Sequence, residues 1–218
     1  EQELDIWQAI TPGVEGVEYI SSGQGLRELF SLTPDKLNRF LAQFMQLRSY
    51  ADYLIIDLGA GLSSHSMKVI LAADVMFLLT TPEPTSMTDA YALLKLLALE
   101  EHDLRVHLVI NRAKNEREGL AVYERMASVA ERFLSVRLER LGVLPDDDHV
   151  VQAVLRQKPY LLAYPKSAVS RKTMELVERF VAGQLSTPVP SGPSTKSRFW
   201  RRFRQLVQSV SPISHGKR

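Results

Sequence analysis

Residues 52–65 read "DYLIIDLGAGLSSH", and their reading decides the fold. Tyr53, Leu54, Ile55 and Ile56 form an unbroken apolar run that ends at Asp57, and Gly59-Ala60-Gly61 follows. A run without alternation predicts a strand buried on both faces, Tyr53–Asp57, as in a parallel sheet between layers of helices. A carboxylate at the end of such a strand is placed to hold magnesium, directly or through water, beside a phosphate. Gly59 and Gly61 would let the backbone approach that phosphate. A simpler job suits the same residues: Asp57 caps the following helix and the glycines make the turn. The stretch alone leaves both readings open.

Working outward, strand-like runs alternate with helix-period segments. Val17–Ile20 predicts a short strand. Pro34–Leu47 predicts a helix with Thr33 as N-cap and Pro34 at its first position. Ser64–Ala72, Thr88–Leu99, Glu116–Leu134, His149–Arg156 and Ala168–Ala182 predict helices, the last capped by Ser167, and "KPYLLAYPKS" reads as irregular. Val75–Thr80, Val106–Asn111 and Leu138–Leu144 predict strands. This βαβα order with continuous apolar strands predicts an α/β fold, a mostly parallel sheet with helices on both faces. Ligands of such sheets sit beyond the carboxyl ends of the strands. Asp57, Thr80–Glu83, Asn111 and Pro145–Asp147 all fall there.

Each strand end has a functional and a structural reading. In "TTPEPTSMTDAY" (80–91), Thr81, Thr85 and Ser86 either line a nucleotide pocket or a dimer face, or supply helix-start capping, which is the commoner role of Ser and Thr. Asn111, followed by Arg112, can read an adenine edge because its amide both donates and accepts. Pro145 can pack on a base. A turn asparagine and a helix-start proline are the plain alternatives. The five histidines lack zinc-ligand spacing, and Gly23-x-Gly25 lacks the third glycine of a dinucleotide loop.

The chain has 218 residues, 45% hydrophobic and 24% charged, enough for one domain with a sizeable core plus an appendage. It has no cysteine, which excludes disulfides and weakly favours a cytoplasmic address. No apolar run reaches the roughly 20 residues that span a bilayer. Residues 196–218 hold seven of the 27 basic residues and none of the 25 acidic ones, which leaves 20 against 25, a net of −5, for 1–195. An acidic body thus ends in a basic tail, whose partner should be anionic. Residues 184–197 are rich in Pro, Ser, Gly and Thr and read as a flexible linker. Beyond them Phe199, Trp200, Phe203, Leu206, Val207 and Val210 fall on one helical stripe, flanked by Arg198, Arg201 and Arg202. That composition suits a helix lying in an anionic membrane interface. Docking on the body or a partner, a nucleic-acid arm or disorder are the alternatives, and direct nucleic-acid binding is not favoured.

The segments "YISSGQGLRELFSLTPDKL", "DYLIIDLGAGLSSHSMKVILAADVMFLLTTPEPTSMTDAYALLKLL", "LVINRAKNEREG", "LGVLPDDDHVVQAV" and "QKPYLLAYPKSAVSRKTMELV" resemble, in order, the MinD/ParA class of P-loop ATPases, and within it the flagellar-number regulators of FlhG/FleN/YlxH type. The resemblance covers roughly residues 10–183. It implies a P-loop-type α/β domain over 1–183, the linker 184–197, a membrane-targeting helix over 198–210 and a tail over 211–218. It implies ATP and magnesium as cofactors, an ATP-bound homodimer, and residence in the cytoplasm with reversible binding to the inner face of the cytoplasmic membrane. It also implies partners such as an FlhF-like GTPase, a flagellar transcription activator or switch-complex proteins. By position it assigns Asp57 to the magnesium, Gly61 to the switch glycine, Asp89 to the dimer face, and Asn111, Arg112, Pro145 and Asp147 to the adenine pocket.

One departure is large. The class's phosphate loop, K-G-G-x-G-K-[ST], occurs nowhere in the 218 residues, and the one Gly-Lys pair is Gly216–Lys217. Such a loop works through a nest of backbone N–H groups, a lysine and a magnesium-binding hydroxyl. The expectation is therefore an N-terminally truncated member, inactive in hydrolysis by itself. A non-enzymatic regulator, or a septum- or chromosome-positioning ATPase of the same class, are the rival readings.

Overall fold

The computed structural model describes residues 5–21, 33–58, 64–100, 104–186, 201–203 and 205. The chain divides into two units, residues 1–73 with 193–218, and residues 74–192.

In the first unit, α1 (Ile6–Ala9) runs into β1 (Ile10–Pro12), which pairs antiparallel with β2 (Glu18–Ile20). The expected short strand is thus present. Then come α2 (Pro34–Phe44), α3 (Leu47–Tyr50) and α4 (Ser64–Ala72). Thr33 and Pro34 start α2 as anticipated, although Thr33 makes no side-chain cap bond, and the helix stops at Phe44 before α3 begins. Trp7 ties this unit together: its indole N–H donates to Gln46 Oε1 at 2.8 Å and its ring meets Tyr50 edge-on at 5.1 Å. Tyr50 in turn donates to Glu18 at 2.9 Å.

The expected buried strand Tyr53–Asp57 is a correction. The segment joins neither sheet, and Tyr53, Leu54 and Ile55 are 66%, 41% and 82% exposed. A parallel strand is held by ladders to its neighbours and by helices over its faces. No described strand pairs with 53–57, so Tyr53, Leu54 and Ile55 stay exposed, while Ile56 packs against the cluster of Leu41, Val69, Ala72 and Phe203.

The second unit is a three-stranded parallel sheet in the order β3 (Val75–Thr80), β4 (Arg105–Ala113), β5 (Leu138–Pro145). The register pairs Phe77 with His107 and His107 with Glu139, and a bulge falls at Leu141. Two crossover helices, α5 (Pro84–Leu97) and α6 (Glu116–Leu134), join the strands. After β5 come α7 (Asp148–Leu155), the single turn α8 (Tyr160–Ala163) within the segment read as irregular, and α9 (Ala168–Ser186). Ser167 Oγ accepts from Ser170 N–H at 3.2 Å, as a cap of α9 should. That helix runs three residues into the stretch read as linker, and 187–197 lies outside the described residues.

The two faces follow from two glycines. A Cβ on Gly119 of α6 would stand 2.3 Å from Val143 Cγ1, and one on Gly142 would meet Leu176 of α9 at 3.2 Å. Residues 142 and 143 point to opposite faces of a strand, so α6 and α9 cover opposite faces. The central strand β4 is buried on both, from Val106 to Ile110. On β3, Met76, Leu78 and Thr80 are buried but Phe77 and Leu79 are 42% and 57% exposed. These two lie on the α9 face, where Phe77 meets Phe180 of α9 at 5.0 Å and stays partly open. No helix among the described residues is long and apolar enough to cross a membrane.

Candidate functional site

The parallel topology brings the carboxyl ends of β4 and β5 side by side, with Ala113 and Pro145 as register partners. Asn111 Oδ1 accepts from the Arg112 N–H at 3.0 Å, and Arg112 sits in the left-handed region with φ 55°. That conformation is costly for a residue with a Cβ and clusters at functional sites. It turns the guanidinium toward β5, where Nε lies 3.3 Å from Asp146 Oδ1. Asp146 N–H donates to Ala113 O at 3.0 Å and locks the two strand ends together.

Asp147 is the N-cap of α7. Its Oδ1 accepts from the His149 N–H at 3.0 Å and contacts His149 Nδ1 at 2.6 Å, and its Oδ2 accepts from the Val169 N–H at the start of α9, 3.1 Å away. Burial works against ionisation here. The His149 backbone and ring and the Val169 N–H outweigh it and hold the carboxyl below its usual range. His149 also packs on Tyr164, centroids 4.7 Å apart, with the Arg156 guanidinium over the same ring at 5.2 Å. The four expected base-pocket residues, Asn111, Arg112, Pro145 and Asp147, therefore do gather. Asp146, inside the strand-end stretch Pro145–Asp147, joins them by pairing with Arg112; His149 and Tyr164 join without having been anticipated, Tyr164 from a segment without periodicity.

At the end of β3, Ser86 Oγ accepts from Thr81 N–H at 3.0 Å and bonds Thr80 Oγ1 at 3.0 Å, while Thr88 Oγ1 donates to Pro84 O at 2.8 Å. These hydroxyls bond one another and the nearby backbone, while the N-cap residue, Glu83, makes no side-chain cap bond. The helix starts at Pro84, four residues before the expected Thr88, because proline at the first position leaves no N–H unsatisfied. Asp89 is exposed on this helix.

Asp57 belongs to the first unit and is exposed. Gly61 lies outside the described residues, as do Arg198, Phe199, Trp200, Leu206, Val207 and Val210. Arg201 is exposed and Arg202 half-buried, whereas Phe203 is 2% exposed, packed in a cluster with Leu41, Val69 and Ala72. Its ring lies 5.6 Å from that of Phe44.

Magnesium-nucleotide fits this chain only in part. Among the described residues no three carboxylate or histidine groups cluster as a metal site, and Asp57 alone supplies one oxygen donor. Magnesium is commonly held by one or two carboxylates together with the substrate's phosphates. The K-G-G-x-G-K-[ST] loop, whose lysine and hydroxyl complete such a site, does not occur in the 218 residues. Two clefts of about 500 and 450 Å³ lie elsewhere, along β5 and α6 and at the amino ends of the strands, and neither includes a strand-end residue named above.

No protein-family model matches the chain. It is 30% identical over 209 residues to the antiactivator FleN of Pseudomonas aeruginosa, an alignment covering 95% of this chain and 72% of that one. The chain belongs to the MinD/ParA family, in its FlhG-type branch. It is 26% identical to the flagellum site-determining protein YlxH of Helicobacter pylori, over 94% of this chain and 66% of that protein. Among solved structures it resembles the septum site-determining MinD of Pyrococcus horikoshii, complexed with Mg-ADP, with a TM-score of 0.59 at 21% identity over 85% of this chain and 73% of that one. At that identity the likeness carries the fold alone. The P-loop-type α/β architecture expected from the sequence is thereby established, and the strand ends of this MinD/ParA chain are the place to look for its ligand.

Proposed function

We propose that this chain is the greater part of a MinD-type ATPase subunit that sets the number or placement of flagella. The alignment with FleN along nearly the whole chain carries the proposal. The geometry supports it: Asn111, Arg112, Pro145 and Asp147 stand at adjacent carboxyl strand ends, where such sheets bind ligands. In this reading Asn111 and Pro145 take the adenine, Asp57 the magnesium, and Gly61 the switch position. Asp89 faces a second subunit, and the ATP-bound dimer binds the inner face of the cytoplasmic membrane through 198–210. ATP favours the dimer, and two weak membrane helices on one particle bind far better than one. An FlhF-like GTPase, a flagellar transcription activator or switch-complex proteins are the partners proposed.

In this reading the 218 residues supply the base side of the site and, on the phosphate side, Asp57 and Gly61 without a phosphate loop. Magnesium-dependent ATP turnover by this chain alone should be absent, and measurable turnover would overturn that reading. A second reading, septum positioning, is supported by 28% identity to a Helicobacter pylori MinD over 63% of this chain. Deleting the gene and counting flagella and septa per cell separates the two. Altered flagellar number with normal division supports the first, and minicells with normal flagella support the second.

A further inference from the structure

His107 is the buried titratable group that nothing above employs. It sits on β4 beneath the C-terminal half of α9, 8% exposed. Its ring meets Phe180 of α9 edge-on at 5.5 Å and Phe77 of β3 at 6.0 Å, and the two phenylalanines meet each other at 5.0 Å. Nδ1 lies 3.4 Å from Glu139 Oε2, a carboxylate that is 45% exposed. Nε2 is buried with no hydrogen-bond partner. A neutral imidazole tolerates this, donating from Nδ1 and leaving Nε2 a bare acceptor. A proton on Nε2 would create a donor with no acceptor inside an aromatic pocket.

Among the described contacts of this half of α9 are Leu176 against Gly142, the Arg179 guanidinium donating to Leu141 O, and Phe180 in the aromatic group. Among them only His107 titrates between pH 5 and 8. We propose that His107 is an acid-sensitive latch, its protonation releasing the C-terminal half of α9 from the sheet. The charged groups around it are Arg105 on its own strand, Glu139 on β5 and Arg179 on α9. On this face β3 contributes Val75, Phe77 and Leu79, none charged.

Burial pushes the imidazole below its ordinary 6.5, with Glu139 pulling up and Arg105 pushing further down. A depressed docked-state value means the released state binds the proton more tightly. Docking is therefore at full strength above pH 6.5 and weakens as pH falls toward the docked-state value, by about tenfold per pH unit.

The test is amide hydrogen exchange on the 218-residue chain from pH 7.5 to 5, corrected for intrinsic rates. Protection at Phe180–Ala182 should fall about tenfold per unit below pH 6.5, while that at Val122–Met126 of α6 holds. In His107→Leu the α9 protection should stay flat. In Glu139→Gln, which removes the counter-ion and so lowers the docked-state value further, the fall should begin at the same pH and continue to lower pH. His149, bonded to Asp147 near the other end of α9, is present in all three chains and cannot produce a difference between them. Protection that is flat in the native chain, or that falls equally in His107→Leu, overturns the latch. If His107→Leu does not fold, NMR titration of His107 in the native chain decides: a pKa below 6.5 supports the latch, and one at or above 6.5 overturns it.

Discussion

Phe203 gives the sharpest quantitative prediction. The tail stripe was read as a membrane anchor, yet this residue is 98% buried against Leu41, Val69 and Ala72 in its own unit. A side chain cannot occupy that cluster and a bilayer at once, so vesicle binding carries the cost of undocking. Burying a phenylalanine is worth about 1.5–3 kcal/mol. Leu41→Ala leaves the tail intact but removes part of its receptor. A buried Leu→Ala costs about 2–5 kcal/mol in total, and if ~1–2 kcal/mol of that falls on the Phe203 contact, the undocked fraction rises about 5- to 30-fold. Apparent affinity scales with that fraction while it is small. Binding of Leu41→Ala to anionic phosphatidylglycerol vesicles in a sedimentation assay should therefore rise by the same factor, and tryptic cleavage at Arg201 and Arg202 should quicken without vesicles. Phe203→Ala should quicken cleavage equally but gain less in binding, since it also loses an anchor. Trp200→Glu should bind less than the native chain. A folded Leu41→Ala, judged by far-UV circular dichroism, with unchanged cleavage and unchanged binding would refute the competition between body and membrane.

Two further outcomes test the second unit. Gly119→Ala would place a methyl 2.3 Å from Val143 Cγ1, and a β-branched side chain has few rotamers in which to retreat; overpacking of about 1–3 kcal/mol against a helix-propensity gain of about 1 kcal/mol predicts a net loss of up to ~2 kcal/mol in urea unfolding. A gain in stability would show that the α6–β5 contact is looser than described. Asp147→Ala removes the cap of α7 and the bond to Val169, and should cost about 1–2 kcal/mol. Because the folded carboxyl lies below its ordinary 3.8, its contribution is complete above that value and fades as pH falls through the lower folded one. Native stability should drop faster than that of Asp147→Asn below pH 4, and parallel curves would assign the carboxylate no such part.

What was legible in the sequence was local or followed from chain order. Helix α6 was read to the residue because its caps are written beside it: Asn115 Oδ1 accepts from Glu118 N–H at 2.9 Å, and Glu118 reaches back to Lys114 N–H at 2.7 Å. The strand ends fell together because consecutive βαβ units of one hand align their carboxyl ends. What escaped was decided by contacts distant in sequence. The Arg112–Asp146 pair spans 34 residues, and the sharing of Asp147 between α7 and α9 needs a 22-residue return. No periodicity announces either.

Two features, the exposed Tyr53–Ile55 and the buried Phe203, share one physical cause. An apolar run or stripe states that a side chain needs to leave water; it does not name the surface that will take it. For Tyr53–Ile55 the expected cover was a pair of neighbouring strands, and without a pairing strand these residues face solvent. For Phe203 the expected cover was lipid, and a cluster on the body accepts the ring instead. Burial of an apolar ring gains about the same free energy in either medium, because the effect is non-directional and scales with area. If the tail binds membrane as proposed, the balance between body and membrane then rests on charge. Arg198, Arg201, Arg202 and Arg204 gain from an anionic surface about 1 kcal/mol each, an attraction that raised salt weakens, while the apolar docking of Phe203 is largely indifferent to salt. Raising salt should therefore return the tail to the body without altering the pocket that holds it.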